Sequence, residues 1–356
     1  MQKKKATIHD IAGRLNLSSS TVSRALNNST RISRETRERV RKMALELDYK
    51  PNQMALDLRK GTGTILGVIV PRLNRHFFSH AIAGMESVVN PSGYNLMICQ
   101  SNESYETERK NIQSFIRQRV QGVILSVAAD TLNTEHIESL VREGIPVVLF
   151  DRGIPALETD QVTNDNFQGA YDITSHLIRQ GYKKLIHFSG PMHVALYRER
   201  CQGFQQACAD AGLPYSNDWV IPDVLTRLRG EAAALNLIRK RRVPDALFAA
   251  SDYSALGAYL AFKKSGFLIP DQIGIAGFAN EPFTELIDPG MTTIEQHGEE
   301  IGKSAARMLI ERIRNGSPRE AYNTLVIQSK LIIRSSTLRN SVPKETPLVQ
   351  ISEYKH

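Results

Sequence analysis

The sequence predicts a small all-α head followed by a larger α/β core built as two doubly wound parallel-sheet subdomains, and three observations lead there. A chain of 356 residues exceeds what one hydrophobic core ordinarily serves. Apolar residues recur at helical spacing up to about residue 50, whereas from Thr64 onward short apolar runs alternate with amphipathic stretches, as strands covered by helices do. The charge is also unevenly divided. Residues 1–60 hold fourteen Lys and Arg against six Asp and Glu, while the remainder holds thirty-one of each, so the whole formal charge of +8 sits in the head. That is the distribution expected when one small segment meets a polyanion.

The head reads as short helices with tight joints. Thr7 followed by Asp10 is a capping-box-like start, and Ile8, Ile11, Ala12 and Leu15 share one helical face. Asn16 and Leu17 predict a turn, because Asn tolerates left-handed backbone. Ser18 caps a second helix with Val22, Ala25 and Leu26 inward. Ser33 caps a third, with Val40, Met43, Ala44 and Leu47 inward, and Tyr49, Lys50 and Pro51 close it. The head is thereby placed at residues 1–51. Residues 52–63 are expected to form a connecting helix and linker. The helix formers there end at Gly61 and Gly63, giving roughly two turns, fewer than the ~12 residues an isolated helix needs in water. Such a helix forms only when something holds it.

The core, residues 64–339, carries strand signals at Ile65–Val70, Tyr94–Cys99, Gly122–Ser126, Val147–Phe150, Leu185–Ser189, Ala246–Ala250 and Ile273–Gly277. Helical patterns lie between and after them, at Ala81–Val89, Glu108–Gln118, Phe167–Gln180, Gly203–Ala211, Ala255–Ser265 and Gly298–Arg314. In such folds ligands bind outside the carboxyl ends of the strands, so a cleft between the two halves is the expected pocket. Residues 340–356, with Pro343 and Pro347 and no heptad, read as a loose tail that offers no tetramerisation segment.

Cys99, Cys201 and Cys208 form neither a metal-type cluster nor an even disulfide set, and read as buried thiols in a reducing compartment. Asp10, Arg14 and Asn16 interrupt what a signal peptide would need as an apolar stretch, and no run approaches a membrane span. A cytoplasmic protein with no membrane partner is therefore expected. Phosphate-loop, His-Glu-x-x-His and Gly-x-Ser-x-Gly patterns are missing, and Gly61, Gly63 and Gly67 precede a strand instead of following one. No enzyme, cofactor or metal is indicated.

Thr7–Asn27, reading Thr-Ile-His-Asp-Ile-Ala through Ser-Ser-Ser-Thr-Val-Ser-Arg-Ala-Leu-Asn, resembles the helix-turn-helix of the lactose-repressor family of bacterial regulators, the LacI type. The likeness runs on through Val40–Leu47, Tyr49-Lys50-Pro51-Asn52 and the body of the chain. It implies a DNA-binding transcription regulator, a repressor by expectation, that binds a pseudo-palindromic operator in double-stranded DNA as a homodimer. By this resemblance Ser19, Ser20 and Arg24 touch base edges, and Thr7, Ser18, Thr21, Ser23 and Asn27 hold phosphates. The residues fit, since a helix starting at Ser18 presents its first polar side chains on one face. The resemblance also makes residues 52–59 a hinge helix that enters the minor groove, with Asn52, Ala55 against the groove floor, and Leu58 wedged between central base pairs. Such a wedge is easiest at a flexible pyrimidine-purine step. Asp57 departs from the pattern by placing an acid beside it.

For the core the resemblance implies a periplasmic-binding-protein-like fold and a small-molecule effector, a sugar or sugar derivative. Asp151, Arg200, Asp252, Asn280 and Gln296 match the family's effector contacts, with Phe77, Phe78 and Ser126 lining the other half. Planar carboxylate, amide and guanidinium groups suit the paired hydrogen bonds that hold sugars. Two positions depart: Ala279 stands where an acid is frequent, and an aromatic expected near Leu225 is missing. The alternative is a solute-binding protein of periplasmic type without DNA function. It would read alike over the last two-thirds, but it predicts an export signal and no basic head.

Overall fold

The computed structural model describes residues 6–49, 64–213, 216–316 and 322–339. The expected hinge helix and tail lie outside these residues. The chain divides into two compact units at Gly63/Thr64.

In the head, α1 (Ile8–Leu15), α2 (Ser19–Leu26) and α3 (Arg34–Glu46) pack around Ile11, Ala12, Val22, Ala25, Val40 and Ala44. Each start signal is used as the sequence predicts. Thr7 and Asp10 form a reciprocal capping box, Ser18 accepts from the Thr21 amide, and Ser33 accepts from the Thr36 amide. Asn16 takes a left-handed φ of 51°, which ends α1 and turns the chain toward α2.

In the core, β1 (Ile65–Val70), β2 (Asn95–Gln100), β3 (Val123–Leu125), β4 (Val147–Phe150), β5 (Asp160–Asn164) and β11 (Thr324–Ile327) form one parallel sheet in the order β11-β5-β4-β3-β1-β2. A second parallel sheet has the order β7-β6-β8-β9, from β6 (Leu185–Phe188), β7 (Val220–Ile221), β8 (Ala246–Ala249) and β9 (Gly274–Ala276). β10 (Thr293–Glu295) and β12 (Lys330–Ile332) pair antiparallel beside it.

Around the first sheet stand α4 (His76–Val89), α5 (Tyr105–Gln118), α6 (Glu135–Arg142) and α12 (Gly298–Asn315). Around the second stand α7 (Asn166–Arg179), α8 (Ala195–Asp210), α9 (Arg227–Arg239), α10 (Asp252–Lys264) and the short α11 (Phe283–Leu286). The two doubly wound halves that the alternation predicts are thus both present. The halves exchange chain: after β5 the polypeptide enters the second, returns at α12 and β11, and re-enters through β12. Three connections therefore join them, at residues 164–166, 295–298 and 327–330.

The helices on each sheet bury separate apolar clusters. Leu66, Val68, Val70, Met85, Val148 and Phe150 with Ile301, Ala305 and Leu309 form one, and Leu247, Phe262, Ile273 and Ile275 belong to another. Helices α4 and α12 approach closely because two contact residues lack side chains. A Cβ on Gly302 would stand 1.9 Å from the Ala81 carbonyl oxygen, and one on Gly84 would stand 2.1 Å from that of Glu299.

Candidate DNA-reading surface and effector cleft

The head's polar residues fall into an outward group and one exception. Ser20 and Arg24 are exposed on α2, and Arg24 has no carboxylate within 4 Å among the described residues, so its guanidinium is free for a base edge. Ser19 Oγ lies 3.0 Å from His9 Nδ1, a contact from α1 that steadies the start of α2 and that the sequence reading passed over. Thr7, Ser18 and Asn27 are exposed and Thr21 is half-buried. Ser18 Oγ sits 2.8 Å from Thr21 Oγ1, and the Asn27 amide donates to the Ser23 carbonyl. Ser23 is the exception: it is only 6% exposed and is buried along with Val22 and Ala25 of the same helix. Asn52, Ala55 and Leu58 lie outside the described residues.

In the core, a cavity of about 370 Å³ opens between the two sheets. Its walls come from the carboxyl ends of strands on both sides: Arg72 and Arg75 after β1, Glu103 after β2, Asp151 and Arg152 after β4, Ser251 after β8, and Phe278 and Ala279 after β9. This is where the parallel topology exposes strand-end backbone and side chains to a ligand. Phe77 and Phe78 open α4 and supply apolar wall, joined by Leu196 and Tyr197 on α8.

Five of the expected effector residues, Phe77, Phe78, Asp151, Arg200 and Gln296, line this cavity. Asp151 takes a left-handed φ of 63°, which turns its carboxylate across the strand end; burial pushes its pKa up. Arg200 is 4% exposed. Its Nε donates to Asn166 Oδ1 at 3.0 Å, its Nη1 donates to the Ala250 carbonyl at 2.9 Å, and the guanidinium lies 3.6 Å from the Phe278 ring centroid. Burial draws its pKa down to about 10, so it stays charged at neutral pH.

Ser126, Asp252 and Asn280 are not among the residues that line this cavity. Ser126 is fully buried beneath the cavity and donates to Asp151 Oδ2 at 3.2 Å, so it orients a wall residue and is not part of the wall. Asp252 is also fully buried. Its Oδ1 accepts from Thr293 Oγ1 at 2.7 Å and its Oδ2 accepts from the Glu281 amide at 2.8 Å, which ties α10 to the chain flanking β10. The Asn280 side chain donates to Glu295 Oε2 at 2.8 Å and accepts from Arg334 Nη2 at 3.0 Å, so it is spent on holding a turn. Ser126 and Asp252 are buried, while Asn280 is half-buried with its side chain held by Glu295 and Arg334.

Several wall residues were not foreseen: Arg72, Arg75, Glu103, Arg152, Tyr197, Tyr253, Asp223, Arg229 and Glu281. A signal existed, because Arg72 and Arg152 each stand two residues beyond a predicted strand. Arg152 Nη1 and Nη2 donate to Glu103 at 2.6 and 3.0 Å in a two-pronged pair. Ala279 and Leu225, the two departures, both face the cavity, and aromatic surface comes from Tyr197 and Tyr253.

A basic helix-turn-helix head followed by a two-sheet core with a polar interdomain cleft defines a DNA-binding regulator controlled by a small molecule. Family profiles agree with both parts. "Bacterial regulatory proteins, lacI family" matches residues 7–52, and "Periplasmic binding proteins and sugar binding domain of LacI family" matches residues 63–335. The chain belongs to the LacI family of bacterial transcriptional repressors.

Among its relatives, the HTH-type transcriptional repressor PurR of Vibrio campbellii is 31% identical over 93% of this chain and 98% of its own length. The ribose operon repressor of Haemophilus influenzae is 30% identical over the same shares. The solved complex of the transcriptional regulator CelR with cellobiose is 27% identical with a TM-score of 0.71, covering 93% of this chain and 99% of that one. The lac repressor dimer bound to operator and the anti-inducer ONPF, 22% identical with a TM-score of 0.81 over 94% and 100%, shares the fold.

Proposed function

We propose that this chain binds a pseudo-palindromic operator as a homodimer, and that a small polyhydroxylated molecule of carbohydrate type, seated in the core's cleft, sets its affinity for that operator. One helix-turn-helix reads one half-site, so a specific site of useful affinity needs two heads related by a two-fold axis. The cleft carries the effector reading. Hydrogen-bonding groups of fixed geometry, Asp151, Gln296 and Arg200, face it beside the rings of Phe77 and Phe78, the mixture of planar polar groups and apolar faces that sugars use. The named ligand of CelR, cellobiose, and the naming of a relative for the ribose operon support the same class. Asn52, Ala55 and Leu58 are assigned to a hinge helix in the minor groove on the strength of the sequence resemblance. The boundaries at residues 51, 63 and 339 rest on the helix-closing Tyr49-Lys50-Pro51, on Gly61 and Gly63, and on the proline-containing tail. Within the described residues no helix is long and apolar enough to cross a membrane, and a place in the cytoplasm fits this role.

The reading is tested by selecting bound fragments from genomic DNA with the purified protein. The expected product is a recurring inverted repeat, bound at a stoichiometry of two chains per site, whose affinity changes when one of a panel of sugars is added. A recurring site bound by a single chain would contradict the dimer, and a site indifferent to every metabolite tried would contradict effector control.

A further inference from the structure

Five arginines line the effector cleft, Arg72, Arg75, Arg152, Arg200 and Arg229, against the acids Glu103, Asp151, Asp223 and Glu281. Their pairing is lopsided. Among the described residues only Arg152 has a carboxylate within 4 Å, with Glu103 at 2.6 Å and Asp151 at 3.9 Å. The other four make no ion pair within 4 Å among the described residues: Arg72 feels Glu103, Arg75 feels Glu281 and Arg200 feels Asp151 only at longer range. Arg75 lies 3.6 Å over the Tyr253 ring, Arg200 lies the same distance over Phe278, and Arg229 Nη1 donates to the Asp223 carbonyl at 2.8 Å.

Three of the four acids, Glu103, Asp151 and Glu281, are meanwhile occupied by other donors. Glu103 serves Arg152 and the Ala129 amide. Asp151 accepts from Ser126 in a buried position, and Glu281 accepts from the His76 amide at 3.3 Å. Burial pushes the pKa of both Asp151 and Glu281 up, which weakens their claim on a cation. Arg152 and Arg200 are buried, Arg72 and Arg75 half-buried and Arg229 exposed, so the cleft wall carries five guanidiniums against four carboxylates with three of the cations reachable from solvent, and the guanidinium fork matches carboxylate and phosphate oxygens. A neutral sugar would satisfy the hydrogen bonds and leave the charge unanswered.

We propose that the effector is anionic, a polyhydroxylated carboxylate or phosphate ester whose charged end is held by Arg72, Arg75 and Arg229 while Asp151 and Gln296 take its hydroxyls; this rests on the cleft being the effector site. Arg72 and Arg75 both lie in the segment between β1 and α4, and Arg229 in the first turn of α9, so the clamp draws on both subdomains. An anion between them would bridge the two halves and favour their closure.

The test is thermal unfolding of the full chain in inorganic phosphate, D-gluconate, glucose 6-phosphate and glucose, each against sodium chloride at matched ionic strength. Phosphate and at least one sugar anion are expected to raise the melting temperature above chloride. Gluconate and glucose 6-phosphate separate a carboxylate from a phosphate preference, and glucose is expected to do little. In Arg72→Gln and Arg229→Gln the half-saturating anion concentration should rise roughly tenfold per lost charge-assisted contact. Their melting temperature in chloride should hold or rise, because repulsion between the cations is relieved.

Anion shifts that persist undiminished in both variants would place the bound anion elsewhere, for instance on the basic head, and would overturn the proposal. So would anions that do no more than chloride. A neutral sugar that stabilises where anions fail would overturn the anionic class and leave effector control standing. An anion that stabilises through Arg72 yet leaves operator affinity unmoved would remove effector control and leave the anion site.

Discussion

Asn164 and Gln296 hold each other where two of the three connections between the subdomains pass. The Asn164 amide donates to the Gln296 carbonyl at 2.8 Å, and the Gln296 amide donates to Asn164 Oδ1 at 3.2 Å; both residues are buried. Gln296 also lines the effector cleft, so a ligand that touches it touches the pivot about which the halves can turn. Asn164→Ala removes both bonds and leaves buried groups of Gln296 without partners, a loss of about 1–3 kcal/mol. The expected result in urea is a lower unfolding midpoint for the core at unchanged slope. An unmoved midpoint would show that the clasp contributes nothing.

Asp252 makes the core's stability depend on pH. Burial raises its pKa to about 7, and this outweighs the Glu281 amide and Thr293 hydroxyl that favour the ionised form. In the unfolded chain an Asp titrates near ~3.9. The folded state therefore holds this proton more tightly, and the stability it contributes is lost as pH rises from about 4 to about 7. Asp252→Asn should flatten that part of the stability profile. A variant whose profile keeps the wild-type slope would assign the slope to other groups.

His187 acts in the opposite direction. It lies in the core between the Phe204 and Phe248 rings, and burial draws its pKa down to about 3. Because its folded pKa is depressed, its contribution is complete above the unfolded value of ~6.5 and is lost as pH falls below it. His187→Phe removes this acid sensitivity and also the buried Nε2 that has no partner. Its urea midpoint at pH 5 should move toward its midpoint at pH 8. A wild-type gap between the two would contradict this.

The close approach of α4 and α12 leaves no room at Gly302. Gly302→Ala must push the helices apart or bend one of them, at a cost of about 1–3 kcal/mol, despite the better helix propensity of Ala. A melting temperature equal to or above wild type would show that the two helices separate at no cost.

Legibility in the sequence followed burial. The strands β1 and β4, apolar and buried but for the half-buried Ile65, have the limits the sequence predicts. β5, reading Asp-Gln-Val-Thr-Asn, presents no apolar run, and β11, though it reads Thr-Leu-Val-Ile, is short and largely exposed; the sequence reading contains neither. Helix α8 was placed to begin at Gly203 but begins at Ala195. Its first turns place Leu196 and Tyr197 in a small satellite cluster with Val194 and Ala250 beside the cleft, apart from the main cores whose periodicity marks the rest of the helix. Helix α4 begins five residues earlier than predicted because Arg75 at its cap gives no side-chain hydrogen bond to signal the start.

The same limit governs the cleft. Strand-end position was readable, but whether a side chain turns outward, as Asp151 does, or inward, as Asp252 does, depends on partners from distant segments such as Thr293 and Ser126. The cleft's arginines are spread over strand-end loops, which carry Arg72, Arg75 and Arg152, and two helices, which carry Arg200 and Arg229, so no single stretch of sequence shows the excess.

Operator recognition by this chain would rest on α2 reading base sequence, and the most direct measurement is the affinity of Arg24→Ala for a selected operator and for scrambled duplex, by fluorescence anisotropy at several salt concentrations. The expected result is a loss of about 1–3 kcal/mol on the operator with scrambled-duplex binding nearly unchanged. Equal losses on both duplexes would make Arg24 a phosphate contact and contradict direct reading by this helix.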